Sequence, residues 1–325
     1  MKYIYLDQNK WIELAKGLKE RNNIYISLYE TIVKNVKDGI WAFPLSSIHI
    51  NEAMKRRNET SRKQLLNLMF SVSNGYAICD YITADNIEFN TWINNKIVSY
   101  SQLKGEIIKH DWAAIIGLST ENADIKFSKH LCSSDEMDKI KQIIKKHSCD
   151  REIFDLICNV VNDNIKEDEA FYYRCYEEGR KSFLLWKNRI KGSEEYKDKY
   201  LYPAYLINVF FEVYKERITN LSSRMKINIT ELFRENSKNK TKAIANLEAL
   251  PGFNVYNRLI FELYNNPDKK VHEHDFNDLA YLRIAIPYCD IVIGENYWCD
   301  RVRHYSLDKK YNTIVNTKLL SLISG

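Results

Sequence analysis

The hydrophobic pattern of the N-terminal region switches between short apolar runs and helical spacing. In KYIYLDQNKWIELA the apolar run Tyr3–Leu6 is closed by a carboxylate and two amides. It predicts a short buried strand. Trp11, Ile12, Leu14 and Ala15 then fall at helical spacing, so a helix is expected from about Lys10. A second helix is expected near Tyr25–Asp38, then strand-like GIWAFPLSS, then a helix from about Ile48 to Phe70. YAICDYI, near Tyr76–Ile82, reads as a further strand or an extended connection.

The middle of the chain is different. Residues 90–250 are poor in Gly, rich in Tyr, Phe and Lys, and repeat helical apolar spacing, as in IIKKHSCDREIFDLICNVVN and YLINVFFEVYKERI. Six or more helices are expected there, without an internal repeat. Residues 251–325 return to mixed character: a helix over DFNDLAYLRIAIPY, a strand at Ile291–Ile293, a helix from about Asn296 to Arg303, a strand in YNTIVNT and a terminal helix. The pattern predicts one α/β domain, built from residues 1–89 and 251–325, split by a helical insertion over 90–250.

Composition changes this picture little. The chain has 325 residues, 45% hydrophobic and 28% charged, with 10 Gly and 5 Pro, which suits a soluble and mainly helical protein. A net charge of +5 permits a nucleic-acid partner without demanding one. The seven cysteines form no CxxC pair and suit a reduced compartment. No signal peptide precedes the first strand and no apolar run reaches membrane-spanning length. A cytoplasmic location with no membrane partner is expected.

Four acids stand at informative positions. Asp7 closes the first strand, and Glu52 lies near the start of the helix after AFPLSS. Asp278 opens DLAYLRIAI with Asp275 one turn earlier, and Glu295 follows Ile291–Ile293 after a single Gly. Each alone also suits a helix N-terminus, through capping and the macrodipole. Together they suit metal-assisted hydrolysis. Mg²⁺ or Mn²⁺ prefers carboxylate oxygens, and two such ions about 4 Å apart activate a water and stabilise a leaving oxygen.

The order Asp7, Glu52, Asp278, Glu295, carried by IYLDQNKWIELA, FPLSSIHINEAM and DFNDLAYLRIAIPYCDIVIGENYW, resembles the PIN-domain nuclease family. The resemblance covers the two ends of the chain and leaves the middle aside. It implies a three-layer α/β domain with a central, mainly parallel sheet, interrupted here by a large all-helical insertion. It implies Asp7, Glu52 and Asp278 as catalytic metal ligands for Mg²⁺ or Mn²⁺, with Asp275 a further candidate. Glu295 stands where the family usually carries Asp, and Ile293 where it carries Thr or Ser. Phosphatases of the haloacid dehalogenase type also begin with a strand ending in Asp, but they require an acid where Asn9 stands.

Basic residues supply candidate phosphate contacts. KRRNETSRK continues the helix of Glu52 and brings Lys55, Arg56, Arg57, Arg62 and Lys63 near the acids. Of these, Arg56, Arg57, Arg62 and Lys63 are the nucleic-acid-binding candidates. RKSFLLWKNRIK interleaves Phe183 and Trp186 with five cations; the rings either stack on bases or face the core, the latter being preferred. His49, His272 and His274 lack partners at zinc-ligand spacing, so a surface or supporting role is expected. The expected activity is phosphodiester hydrolysis on RNA rather than DNA, in an endoribonuclease compatible with a toxin or anti-phage defence effector. A protein partner or antitoxin fits the same picture. The alternative is a catalytically silent PIN-fold subunit that binds RNA or protein.

Overall fold

A computed structural model describes residues 1–95, 100–118, 142, 145–164, 169–210, 212, 219–220, 240–266, 268–272 and 274–323. The chain divides into two compact units. One contains Met1–Thr83, Lys104–Lys166 and Tyr288–Gly325; the other contains Ala84–Leu103 and Glu167–Pro287.

The first unit holds the sheet. Strand β1 (Lys2–Leu6) pairs in parallel with β2 (Trp41–Ala42) and, on its other side, with β5 (Ile291–Ile293). β5 pairs in parallel with β6 (Ile314–Asn316), giving the order β2-β1-β5-β6. Ile4, Leu6 and Ile293 join a single apolar core, and this is why the strands read as continuous apolar runs rather than alternating ones. A second, antiparallel pair is formed by β3 (Tyr76–Ile78) and β4 (Ile108–His110), so YAICDYI supplies a strand.

Helices α1 (Gln8–Lys19), α2 (Asn23–Lys37), α3 (Ser47–Met54) and α4 (Glu59–Ser73) belong to the same unit. The single helix expected from Ile48 to Phe70 is thus two. Asn58 leaves helical geometry, at φ −78° and ψ 109°, and its Oδ1 accepts the Ser61 N–H at 2.8 Å. An Asn at the N-cap, whose side-chain oxygen accepts an N–H two or three residues further on, starts a new helix more readily than it continues the old.

The chain continues through α5 (Tyr81–Asn95) and α6 (Tyr100–Ile107). Helix α7 (Arg151–Asn164) falls in the stretch read from sequence as insertion, yet it packs with the sheet unit. Its stripe Phe154, Ile157, Cys158 and Val161 is buried in the same core as Ile50 and Ala53 of α3, and a helix settles where its apolar stripe is covered.

The second unit is helical: α8 (Glu169–Arg189), α9 (Asp198–Val209), α10 (Lys240–Glu248), α11 (Pro251–Asn265) and α12 (His274–Tyr288, to Pro287). Residues 251–287, expected with the C-terminal half of the sheet domain, therefore belong here. Phe253 and Phe261 of α11 meet Phe89, Phe210, Phe183 and Tyr205 edge-on or tilted, and these aromatic contacts hold the segment in the helical unit. After β5 the sheet unit closes with α13 (Asn296–His304), α14 (Leu307–Tyr311) and a final 3₁₀ turn, Leu319–Leu322. Much of YLINVFFEVYKERI lies outside the described residues, as does Cys132. Among the described residues no helix is long and apolar enough to cross a membrane.

Candidate functional site

The site is built on adjacent parallel strands. Leu6 of β1 lies beside Ile293 of β5, and the Asp7 N–H donates to the Ile293 carbonyl at 2.9 Å. Both strands leave the sheet in the same direction and each feeds a helix. Asp7 is the residue before α1 and Glu295 the residue before α13. Two carboxylates thus stand at two helix N-termini on one edge of the sheet, where backbone N–H groups favour negative charge.

Asp7 is buried, only 4% exposed, and its Oδ2 has no hydrogen-bond partner. Burial raises its pKa from 3.8 to about 6; the negative charge of Glu295 adds to the rise, while the Gln8 N–H and Lys10 oppose it. Glu295 is exposed, and its Oε1 accepts from Asn9 Nδ2 at 2.7 Å. Asn9, the second amide of LDQN, therefore ties the start of α1 to the acid leaving β5. Glu52, half-buried on α3, acts with Asp7 on the buried Tyr5 hydroxyl, whose pKa is raised first by burial and further by both carboxylates.

Beneath Asp7 lies a network centred on His49. The Ser46 N–H donates to His49 Nδ1 at 3.0 Å, and His49 Nε2 meets the Leu6 carbonyl at 2.7 Å. Because Nδ1 accepts, the ring proton sits on Nε2 and is donated to Leu6. Burial lowers the pKa of His49 to about 4, so the ring is neutral. The sequence carried a signal for this residue: Ser46 and His49 stand at capping-box spacing, with His in the place of the usual Glu or Gln.

The helical unit holds two of the expected acids. Asp275, buried on α12, accepts from Lys269 Nζ at 3.0 and 3.1 Å through its two oxygens and from the His272 N–H at 2.7 Å. Its oxygens are thus engaged within its own unit. Asp278 is half-buried one turn further along α12. Asp7, Glu52 and Glu295 belong to the sheet unit, and of these Asp7 and Glu295 act on one another electrostatically.

The basic candidates are mixed. Arg56 donates to Ser61 Oγ at 3.1 Å and lines a cleft of about 480 Å³ between α1 and α4, floored by Ile12, Leu65 and Leu68. Arg62 donates to the Arg56 carbonyl, and Lys63 pairs with Glu59 at 2.7 Å on the surface. Arg57 is exposed in the break between α3 and α4. Phe183 is buried, stacked on Tyr264 and edge-on to Tyr205, so it belongs to the core; Trp186 is half-buried beside it.

The donor set suits a hard divalent cation: carboxylate oxygens, one of them buried and unpartnered. Among the described residues no three His, Cys, Asp or Glu side chains form a metal-holding group. The residues present therefore fit one ion held by one or two carboxylates and keeping much of its water, the habit of Mg²⁺. Comparison with family models, curated proteins and solved structures finds no match to this chain.

Proposed function

We propose that the sheet unit is a PIN-like phosphodiesterase that uses Mg²⁺ or Mn²⁺ and cleaves RNA. The observation that carries this reading is the buried Asp7 carboxylate, with an orphaned oxygen and a pKa raised by burial and by Glu295. Like charges held together at a sheet edge destabilise the free protein, and a cation relieves the repulsion. The parallel sheet with acids at the exits of neighbouring strands supports the family resemblance.

Asp7 and Glu295 are the residues that would hold the ion, with Glu52 and Asp278 the further acids of the resemblance. When bound, the ion supplies charge stabilisation at phosphate and a water of lowered pKa. The chain's own residues do the rest. Asn9 fixes Glu295 by hydrogen bonding, and Asp7 is ionised at neutral pH. Arg57, exposed in the break between α3 and α4, is suited to a phosphate backbone.

The test is incubation with total RNA and with plasmid DNA under Mg²⁺, Mn²⁺ or EDTA, comparing the wild type with Asp7→Asn. Cleavage of RNA that needs the metal and is lost in Asp7→Asn is expected. Full activity in Asp7→Asn, or in EDTA, sinks the assignment. A folded wild type that binds Mn²⁺ and RNA without cutting either nucleic acid returns the protein to the class of silent binding subunits.

A further inference from the structure

We infer that His49 is a positioning residue, which sets where Asp7 stands relative to Glu52; this rests on the proposed function. His49 touches the chain on both sides of Asp7. It donates to the carbonyl of Leu6, the residue immediately before. Its ring lies 4.7 Å from Tyr5 and 6.4 Å, edge-on, from Trp11 at the first turn of α1. Asp7 is the only stretch of backbone between that strand and that helix. On its own element His49 lies one turn before Glu52, and helix geometry fixes that spacing at about 4.5 Å of rise.

The two hydrogen bonds of the imidazole have different jobs. The bond from Ser46 to Nδ1 closes the capping box and serves α3 alone. The bond from Nε2 to Leu6 crosses 43 residues of sequence and joins α3 to β1. Glu or Gln is the usual residue at this capping position, and an ionised Glu lacks the donor that the second bond requires. A ring with an acceptor on one nitrogen and a donor on the other does both. It is 1% exposed, so water cannot replace either partner cheaply.

This division makes the two functions separable by substitution. The carboxamide of Asn reaches as far as Nδ1 and keeps the cap, but falls short of Leu6. The carboxamide of Gln reaches as far as Nε2 and can offer a donor to Leu6. The experiment compares wild type, His49→Asn and His49→Gln in the full chain. The readouts are Mn²⁺ affinity, kcat and KM on RNA, and backbone amide exchange at residues 6–11 against that at 46–50.

In His49→Asn, Mn²⁺ affinity and kcat are expected to fall about tenfold with KM for RNA nearly unchanged, since an error of about 1 Å in a reacting group costs that much or more. Exchange should quicken at residues 6–11 and stay slow at 46–50. His49→Gln should restore most of the loss. Equal behaviour of Asn and Gln in all three readouts overturns the inference and leaves His49 as a helix cap. A wild type with neither Mn²⁺ binding nor cleavage instead sinks the nuclease reading, and amide exchange then decides the role of His49 alone. If His49→Asn does not fold, Ser46→Ala removes the side-chain half of the cap and leaves the link to Leu6. Loss of Mn²⁺ affinity in Ser46→Ala equal to that expected of His49→Asn would likewise overturn the inference.

Discussion

Asp290 accepts the Tyr3 N–H at 2.7 Å, at the end of the β1–β5 pair opposite to Asp7 and Glu295. The strand rises roughly 3.3 Å per residue, so Asp290 and Glu295 are separated by about 16 Å along it. Asp290 also pairs with Lys104 at 2.8 Å, on a partly exposed surface where such a pair adds little. Asp290→Ala is therefore expected to cost about 1–2 kcal/mol in urea unfolding and to spare Mn²⁺ binding. Glu295→Gln should do the reverse. Loss of metal in Asp290→Ala alone would count against the acids at the strand exits.

Asp275 and Asp278 lie one turn apart on α12 and should separate in the same way. The two oxygens of Asp275 are taken by Lys269 and the His272 N–H. Removing a buried carboxylate strands that lysine, so Asp275→Ala is expected to cost about 1–3 kcal/mol and to leave turnover per folded molecule intact. Asp278→Asn should cut turnover about tenfold, ~1.4 kcal/mol in the activation barrier. The opposite pairing of effects would exchange the two assignments.

Arg57 and Arg56 offer a third contrast. Arg56 is spent on Ser61 in the first turn of α4, whereas Arg57 is exposed. Arg57→Ala should weaken RNA binding evenly across sequences and lower the slope of log affinity against log salt by about 1. Arg56→Ala should change stability by about 0.5–1 kcal/mol and leave the slope alone. Titrations between low and moderate salt by fluorescence anisotropy read both.

The elements that decide the site were legible where one physical signal dominated. Tyr3–Leu6 and Ile291–Ile293 are short apolar runs bounded by polar residues, and both are parallel strands. Their shared direction made Asp7 and Glu295 neighbours on paper as they are in the structure. The break at Asn58 was harder to read, because KRRNETSRK keeps good helix formers on both sides and the N-cap outweighs them through a single hydrogen bond. The unit boundaries depend on where apolar stripes find cover. Neither the Phe154–Val161 stripe of α7 nor the aromatic face of α11 names its partner in the sequence. For His49 the sequence suggests only a surface or supporting role, because the partner that defines its role is a carbonyl 43 residues away.

Asp7 and His49 titrate in opposite senses, which gives the site a signature in acid. The folded Asp7 has a pKa of about 6 against an ordinary 3.8, so it contributes most to stability when protonated, and that contribution is lost as pH rises through 6. The folded His49 has a pKa of about 4 against 6.5, so its contribution is full above 6.5 and is lost as pH falls toward 4. Shifts of this size are each worth roughly 3 kcal/mol at most. Between pH 6 and 4 the two slopes oppose each other, and wild-type stability should change little on their account. Asp7→Asn removes one slope. It should match or exceed the wild type at pH 7.5 and lose stability more steeply from 6.5 to 4. His49→Gln removes the other, so acidification to about pH 4 should stabilise it. Urea unfolding at half-unit steps from pH 4 to 7.5 reads all three curves, and Mn²⁺ affinity of the wild type should fall below pH 6 as Asp7 takes up its proton. Parallel curves for the three proteins would mean that Asp7 and His49 are not the buried, oppositely shifted pair on which the site is built.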